Sequence, residues 1–167
     1  MDKTEFKLML LRTSFGVMAC DGQIHPLEIE ELKEISEHTP FLKGIDLESE
    51  LNTITAEFNE RKRMFFSDNF KQLAEAELDE SEKLIVIDIV LRMISADHRI
   101  DENEARYLRA IKKRLNIPDE LIQQRFGEVK ELGIESPQQY AAMSLEDIVS
   151  NFSVMDVPEL KISGKQD

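Results

Sequence analysis

Met18-Ala19-Cys20-Asp21-Gly22-Gln23-Ile24-His25-Pro26-Leu27-Glu28 and Ile94-Ser95-Ala96-Asp97-His98-Arg99-Ile100-Asp101-Glu102-Asn103-Glu104 are one motif written twice, at an offset of 76 residues. Placing Asp21 over Asp97 makes identical pairs of Ile24/Ile100, Glu28/Glu104, Leu32/Leu108 and Ile35/Ile111. The flanks correspond as well: Leu8 with Leu84, Leu11 with Ile87, Phe15 with Leu91. A repeat at a fixed offset is the first thing to settle in a sequence, because it constrains the whole fold. Each unit reads as helix, tight loop, helix. Two copies are too few for a solenoid, so the expectation is a pseudo-twofold pair of helical hairpins around one core, about residues 4–38 and 80–115.

Around these units the apolar spacing is helical almost throughout. Phe6, Met9, Leu10, Thr13 and Val17 form a stripe over about 3–20, and Leu32 and Ile35 point inward from a helix over 26–38. Asp46 is a suitable N-cap for a helix carrying Leu47, Leu51, Ile54 and Phe58, and Phe66, Phe70, Leu73 and Ala74 lie on another. Whether those two are continuous through Asn59 is left open by the pattern. Asp79 with Glu82, and Asp101 with Glu104, read as capping boxes, in which each side chain satisfies an orphan backbone N–H of the other. From Leu84 to Ile94 the chain is apolar on nearly every face, which predicts a buried, central helix. A further helix starts near Pro118 and ends by Gly133, and shorter ones start at Pro137 and Ser144. The fold class is all-α, a single domain of about seven to eight helices. Residues 1–153 make up the domain, and 154–167, which lack a helical period, an extended or flexible tail.

Composition narrows the function. The 167 residues are 41% hydrophobic and 33% charged, enough for one core under a solvated surface. With 34 acidic against 21 basic residues the net charge is −13, which argues against nucleic acid or a polybasic membrane contact. The single cysteine, Cys20, excludes an internal disulfide framework and every zinc site built on several thiolates. Val17-Met18-Ala19-Cys20 has a faint likeness to a lipoprotein cleavage site. Asp2, Glu5 and Arg12 are wrong for a signal peptide, however, and the stretch belongs to the repeat. No apolar run nears the ~18 residues of a membrane-spanning helix. The expected location is cytoplasmic.

The loop between the paired helices has a physical logic. Gly22 stands where a left-handed helix ending is wanted, Ile24 turns back toward the core, and Pro26 suits a first helical turn. Glu28 lies where the helix dipole favours negative charge. Asp21 and Asp97 are harder to place, since each falls at a helix C-terminus, where a carboxylate is disfavoured. One reading is structural, with each Asp accepting hydrogen bonds from loop N–H groups. In the other, Asp21, Glu28, Asp97 and Glu104 ligate a divalent cation, and oxygen ligands fit calcium, magnesium or manganese. An EF-hand is excluded, because Val17, Ala19 and Met93 occupy ligand positions and His98 replaces the glycine of the sharp turn.

On these residues, Ala19 to Glu28 and Ser95 to Glu104, the chain resembles the tellurite-resistance TerB-like family, which includes the N-terminal domain of DjlA-type co-chaperones. The shared pattern is a small residue or two, Asp-Gly, a spacer, Ile or Val, and Glu four residues later, present twice. It covers roughly residues 4–118, and His98 departs from it where the second glycine belongs. The resemblance implies an internally pseudo-symmetric all-α fold, a bacterial stress-response setting and protein partners that include membrane-associated ones. It also implies metal chelation through Asp21, Glu28, Asp97 and Glu104.

The remaining candidates are weaker. His25 and His98 flank the loops and would suit a transition metal, though a loop histidine is more often simply solvated. Cys20 aligns with Ala96, as a small buried residue would. Arg61-Lys62-Arg63 and Lys112-Lys113-Arg114 read as solvated helix faces. No phosphate loop, nucleophile elbow or Cys/His pairing occurs, so no catalytic residue is assigned and the chain is read as non-enzymatic. Two functions follow: a cation-binding module coupled to a protein partner, or a metal-free acidic helical adaptor.

Overall fold

The computed structural model describes residues 1–97, 101–129 and 145–162. Among them are eight helices and no strand: α1 (Lys3–Ala19), α2 (Pro26–His38), α3 (Leu47–Arg61), α4 (Arg63–Glu75), α5 (Glu80–Ser95), α6 (Glu102–Leu115), α7 (Asp119–Phe126) and α8 (Leu145–Ser150). The fold is a single all-α domain around one hydrophobic cluster that draws side chains from all eight. No described helix is long and apolar enough to cross a membrane.

Helix boundaries follow local chemistry. Asp79 and Glu82 form the expected reciprocal cap of α5, with Glu82 N–H on Asp79 Oδ1 at 2.8 Å and Asp79 N–H on Glu82 Oε1 at 2.9 Å. Asp2 and Glu5 do the same for α1. Helices α3 and α4 are separate, and the break falls at Lys62, three residues beyond Asn59, where φ is +56°. Helix α7 is shorter than its apolar pattern predicts, because the chain leaves it through Gly127 at φ +76°. The short helix expected from Pro137 falls outside the described residues, and the one expected from Ser144 is α8.

The centre is shared. Helix α5 buries Val86, Ile87, Ile89, Val90, Met93 and Ile94, but Leu84, Ile85 and Leu91 are only partly covered. Helix α1, packed along α5 and touching α3, α4 and α6, is the more enclosed of the two: every residue from Met9 to Cys20 except Arg12 is buried. Arg12 reaches out of this interior and makes a two-pronged ion pair with Glu57 of α3, at 2.6 and 2.7 Å. Paired N–H groups on a carboxylate give a directional, charge-assisted contact.

Beside α1 the core is aromatic. Phe15, Phe58, Phe65 and Phe66 pack edge to face, and Phe66 continues to Tyr107 and Phe152. A buried polar chain threads the cluster. Tyr107 OH donates to Asn69 Oδ1 (2.6 Å), Asn69 Nδ2 donates to Thr13 Oγ1 (3.2 Å), and Thr13 Oγ1 donates to Met9 O (2.8 Å). Buried polar groups survive only when satisfied in this way, and the chain fixes the register of α1, α4 and α6.

After α8 the chain has no regular secondary structure over residues 153–162, of which 154–162 are the described part of the stretch read as a tail. It is not loose. Phe152 is buried against Phe66, with centroids 4.8 Å apart, and Val157, Leu160 and Ile162 are buried beyond it.

Candidate functional site: the paired acidic loops

The helix starts that follow the two repeat loops meet, through Glu28 in the first turn of α2 and Glu104 in the first turn of α6. Helix α1 ends at Ala19, and Gly22 follows at φ +87°, with its N–H on Ala19 O at 3.0 Å, the helix ending expected of a glycine there. Asp21 Oδ1 accepts the N–H of Gln23 at 2.9 Å, so the turn bond of the structural reading is present. Ile24 packs against the core.

The start of α2 holds an arrangement the sequence reading missed. His25 is its N-cap: Nδ1 accepts the N–H of Leu27 at 3.1 Å, and Glu28 Oε1 returns to the His25 N–H at 2.7 Å. With Nδ1 an acceptor, the imidazole carries its proton on Nε2 and Nδ1 is unavailable to a cation. In the second copy Asp101 replaces the histidine. Its Oδ1 accepts from Asn103 N–H at 2.7 Å, and Glu104 Oε1 accepts from Asp101 N–H at 3.2 Å. The signal was legible for Asp101, a strong capping residue, but not for His25, which rarely caps.

Glu28 is 2% exposed and Glu104 1%, and their side chains hydrogen-bond to each other. Two adjacent buried carboxyls cannot both ionise cheaply. Burial, then the charges of Asp21 and Asp97, pushes Glu28 up to about 8, against the pull of the His25 N–H and of Glu104. Burial, then the charges of Glu28, Asp21 and Asp97, pushes Glu104 up to about 9. Asp21, exposed as a residue, is also raised, by partial desolvation and by Asp101 and Asp97. All four candidate residues therefore fall in one electrostatic neighbourhood, with Glu28 and Glu104 in direct contact.

That donor set has the chemistry of a hard-cation site: oxygen ligands only, carrying protons that a cation would replace. Its geometry is not that of a finished one. Among the described residues, no three His, Cys, Asp or Glu side chains are grouped so that they could hold a metal ion. Glu28 and Glu104 each commit one oxygen to a cap N–H and are turned toward one another. His98, which stands where the pattern has its second glycine, lies outside the described residues.

Cys20 behaves as its alignment with Ala96 predicts. It is buried and unpaired, its Sγ–H points at Val17 O (3.2 Å), and burial together with nearby carboxylates raises the thiol well above its usual range. Such a thiol is not a nucleophile at neutral pH. Its carbonyl is the more informative group, since it accepts from Ser153 N–H (2.9 Å) and Asn103 Nδ2 (3.2 Å), joining the first loop to the extended segment and to α6.

The family model described as tellurite resistance protein TerB matches residues 7–125, spanning both loops and the helices on either side of each. No curated protein and no solved structure matches the chain.

Proposed function

Given that the chain belongs to the TerB family, we propose that it is a non-enzymatic module in which the Glu28–Glu104 pair exchanges its protons for a divalent cation and passes that change to a protein partner. The observation that carries this reading is the buried carboxyl contact itself, flanked by Asp21 and Asp97. A cation is the natural replacement for protons on carboxyls that burial and mutual repulsion keep from ionising. Glu28 and Glu104 would supply the inner oxygens and Asp21 and Asp97 the outer ones, and the cation would neutralise charge that the loops otherwise hold apart. A bacterial stress-response role in the cytoplasm belongs to the same proposal. It is supported by the family's description as tellurite resistance and by a lone, unpaired cysteine.

A second reading has its own support. Because no ready-made ligand group stands among the described residues, the pair also works as a metal-free joint, with a shared proton holding the two hairpins of an acidic adaptor together. Calorimetric titration of chelator-stripped protein with calcium, magnesium and manganese, in buffers of different ionisation enthalpy, separates the two. Cation binding at the pair is expected to release protons. Binding without proton release, or no binding at millimolar cation, leaves the adaptor.

A further inference from the structure

Asn103 stands one residue before Glu104, in the first turn of α6, and three parts of the chain meet on its side chain. Its Nδ2 donates to Cys20 O at the end of α1 (3.2 Å) and to Asn151 O after α8 (3.0 Å). Its Oδ1 accepts from the Arg106 guanidinium at 3.1 Å, and its backbone N–H is held by Asp101 Oδ1 at 2.7 Å. With donors and acceptor all engaged, this network fixes the orientation of the amide.

Cys20 O takes a second hydrogen bond, from Ser153 N–H at 2.9 Å, and Ser153 Oγ accepts from Met155 N–H at 3.1 Å. A continuous run thus leads from Glu104 through Asn103 and Cys20 O to Ser153 and Met155. Its inner end is buried, with Glu104 1% exposed, and its outer end lies on the surface, with Met155 66% exposed. Farther along, Asn59 holds Val157 and Asn52 holds Leu160, each through both main-chain groups. Ser153 to Met155 is therefore the stretch placed to respond.

The repeat shows that this clasp is not needed to build a loop and its helix start. At the offset of 76 the first copy has Leu27 where the second has Asn103. Leu27 makes the same backbone contact, its N–H on the capping side chain of His25 at 3.1 Å. Its own side chain is an alkyl group, 42% exposed, that donates no hydrogen bond. The cap is common to both copies; the clasp belongs to the second alone. The second cap is also the looser one: Glu104 Oε1 lies 3.2 Å from Asp101 N–H, against 2.7 Å between Glu28 Oε1 and His25 N–H. A change at the pair is taken up more readily by the longer, weaker bond, and so by the turn that carries Asn103.

We propose that Asn103 is the positioning residue through which the Glu28–Glu104 pair governs how firmly residues 153–155 sit on the first loop. The inference rests on the cation reading of that pair and supplies the route by which a change there reaches the surface. A cation drawing in Glu104 and Asp21 would bring α6 and the first loop together. That would tighten the two hydrogen bonds, from Asn103 and from Ser153, that share Cys20 O.

Hydrogen exchange of the Ser153 amide, followed by NMR on the full chain, reads the outer bond directly. Millimolar calcium or magnesium should slow it about fivefold or more, the size of an ordinary coupling between two sites. Asn103→Leu, the first copy's residue at that position, or Asn103→Ala should that chain not fold, is expected to abolish this response. The carboxyl carbons of Glu28 and Glu104 should still shift with cation in the same variant. If the carboxyl carbons respond and Ser153 does not, or Ser153 responds equally without Asn103, the proposal is overturned and the cation reading stands. If no cation moves the carboxyl carbons, the cation reading fails, and the change is made at the pair itself. Glu104→Ala serves for this, or Glu104→Gln should that chain not melt cooperatively. Ser153 exchange should then quicken about fivefold or more, and only where Asn103 is present. A rate unmoved by the substitution, or moved equally in the Asn103 variant, overturns the proposal.

Discussion

Glu28 and Glu104, 76 residues apart in the chain, hydrogen-bond to one another in the interior, while each holds through its other contact the N-cap backbone of its own helix. The arrangement ties the ends of the two hairpins together through groups that change charge. Stability and acidity are therefore linked at this contact.

The sign of that link is fixed. Both carboxyls are raised in the fold from 4.5, to about 8 and about 9, so over that range the folded chain keeps protons the unfolded chain has released. Their contribution to stability is complete below about pH 4.5 and is lost as pH rises through about 8 to 9. Thermal melts of cation-free protein should show a falling midpoint from about pH 5 to about pH 9. Glu104→Gln, which keeps the capping acceptor, should flatten that slope and raise stability at pH 8 by about 1–3 kcal/mol. Glu57 behaves oppositely, because its bond to Arg12 lowers its pKa; that contribution is present above about 4.5 and fails in acid.

Gly16 and Tyr107 give a second test. A Cβ on Gly16 would lie 2.0 Å from the Tyr107 hydroxyl, which cannot move without releasing Asn69. Gly16→Ala should destabilise by about 1–3 kcal/mol through overpacking. Tyr107→Phe alone should cost about 1–3 kcal/mol by leaving Asn69 Oδ1 without its donor. The two losses are expected to be less than additive in chemical denaturation, because either change already breaks the polar chain.

Gly22 is constrained twice, by φ +87° and by Ser153 Oγ, which would lie 2.6 Å from an added Cβ. Gly22→Ala should therefore cost more than the ~1 kcal/mol of left-handed backbone strain alone. In a Ser153→Gly background the same substitution should fall back toward that value, as measured by denaturant unfolding. An unchanged penalty would mean that the tail does not press on the loop.

Much of the fold could be read from periodicity and caps. The repeat placed Asp101 and Glu104 as a helix start and Gly22 as a helix ending, because those roles depend on residues a few positions apart. What escaped depends on distant contacts. Glu28 reads as a first-turn acid favoured by the dipole, and only its meeting with Glu104 across the two helix starts shows that it is buried. Helix α5, apolar on nearly every face, reads as the centre, yet α1 is more enclosed because its one charged inner-turn residue, Arg12, finds Glu57 on α3. The tail has no period to detect, since Asn52 and Asn59 hold it from about a hundred residues away. The family resemblance rested on the two loops, and the family model covers both. The pseudo-twofold relation of the hairpins remains a proposal, supported by their matching caps and testable by superposing 4–36 on 80–112 in an experimental structure.

The central claim is that the Glu28–Glu104 pair holds protons a divalent cation can replace, and carboxyl-carbon NMR of the two glutamates reads it directly. Titrated without cation, both resonances should show midpoints well above 4.5, toward about 8 and about 9. With millimolar calcium, magnesium or manganese, both midpoints should move down together, as ligands must deprotonate. Midpoints near 4.5 without cation, or raised midpoints that no cation moves, would contradict the claim.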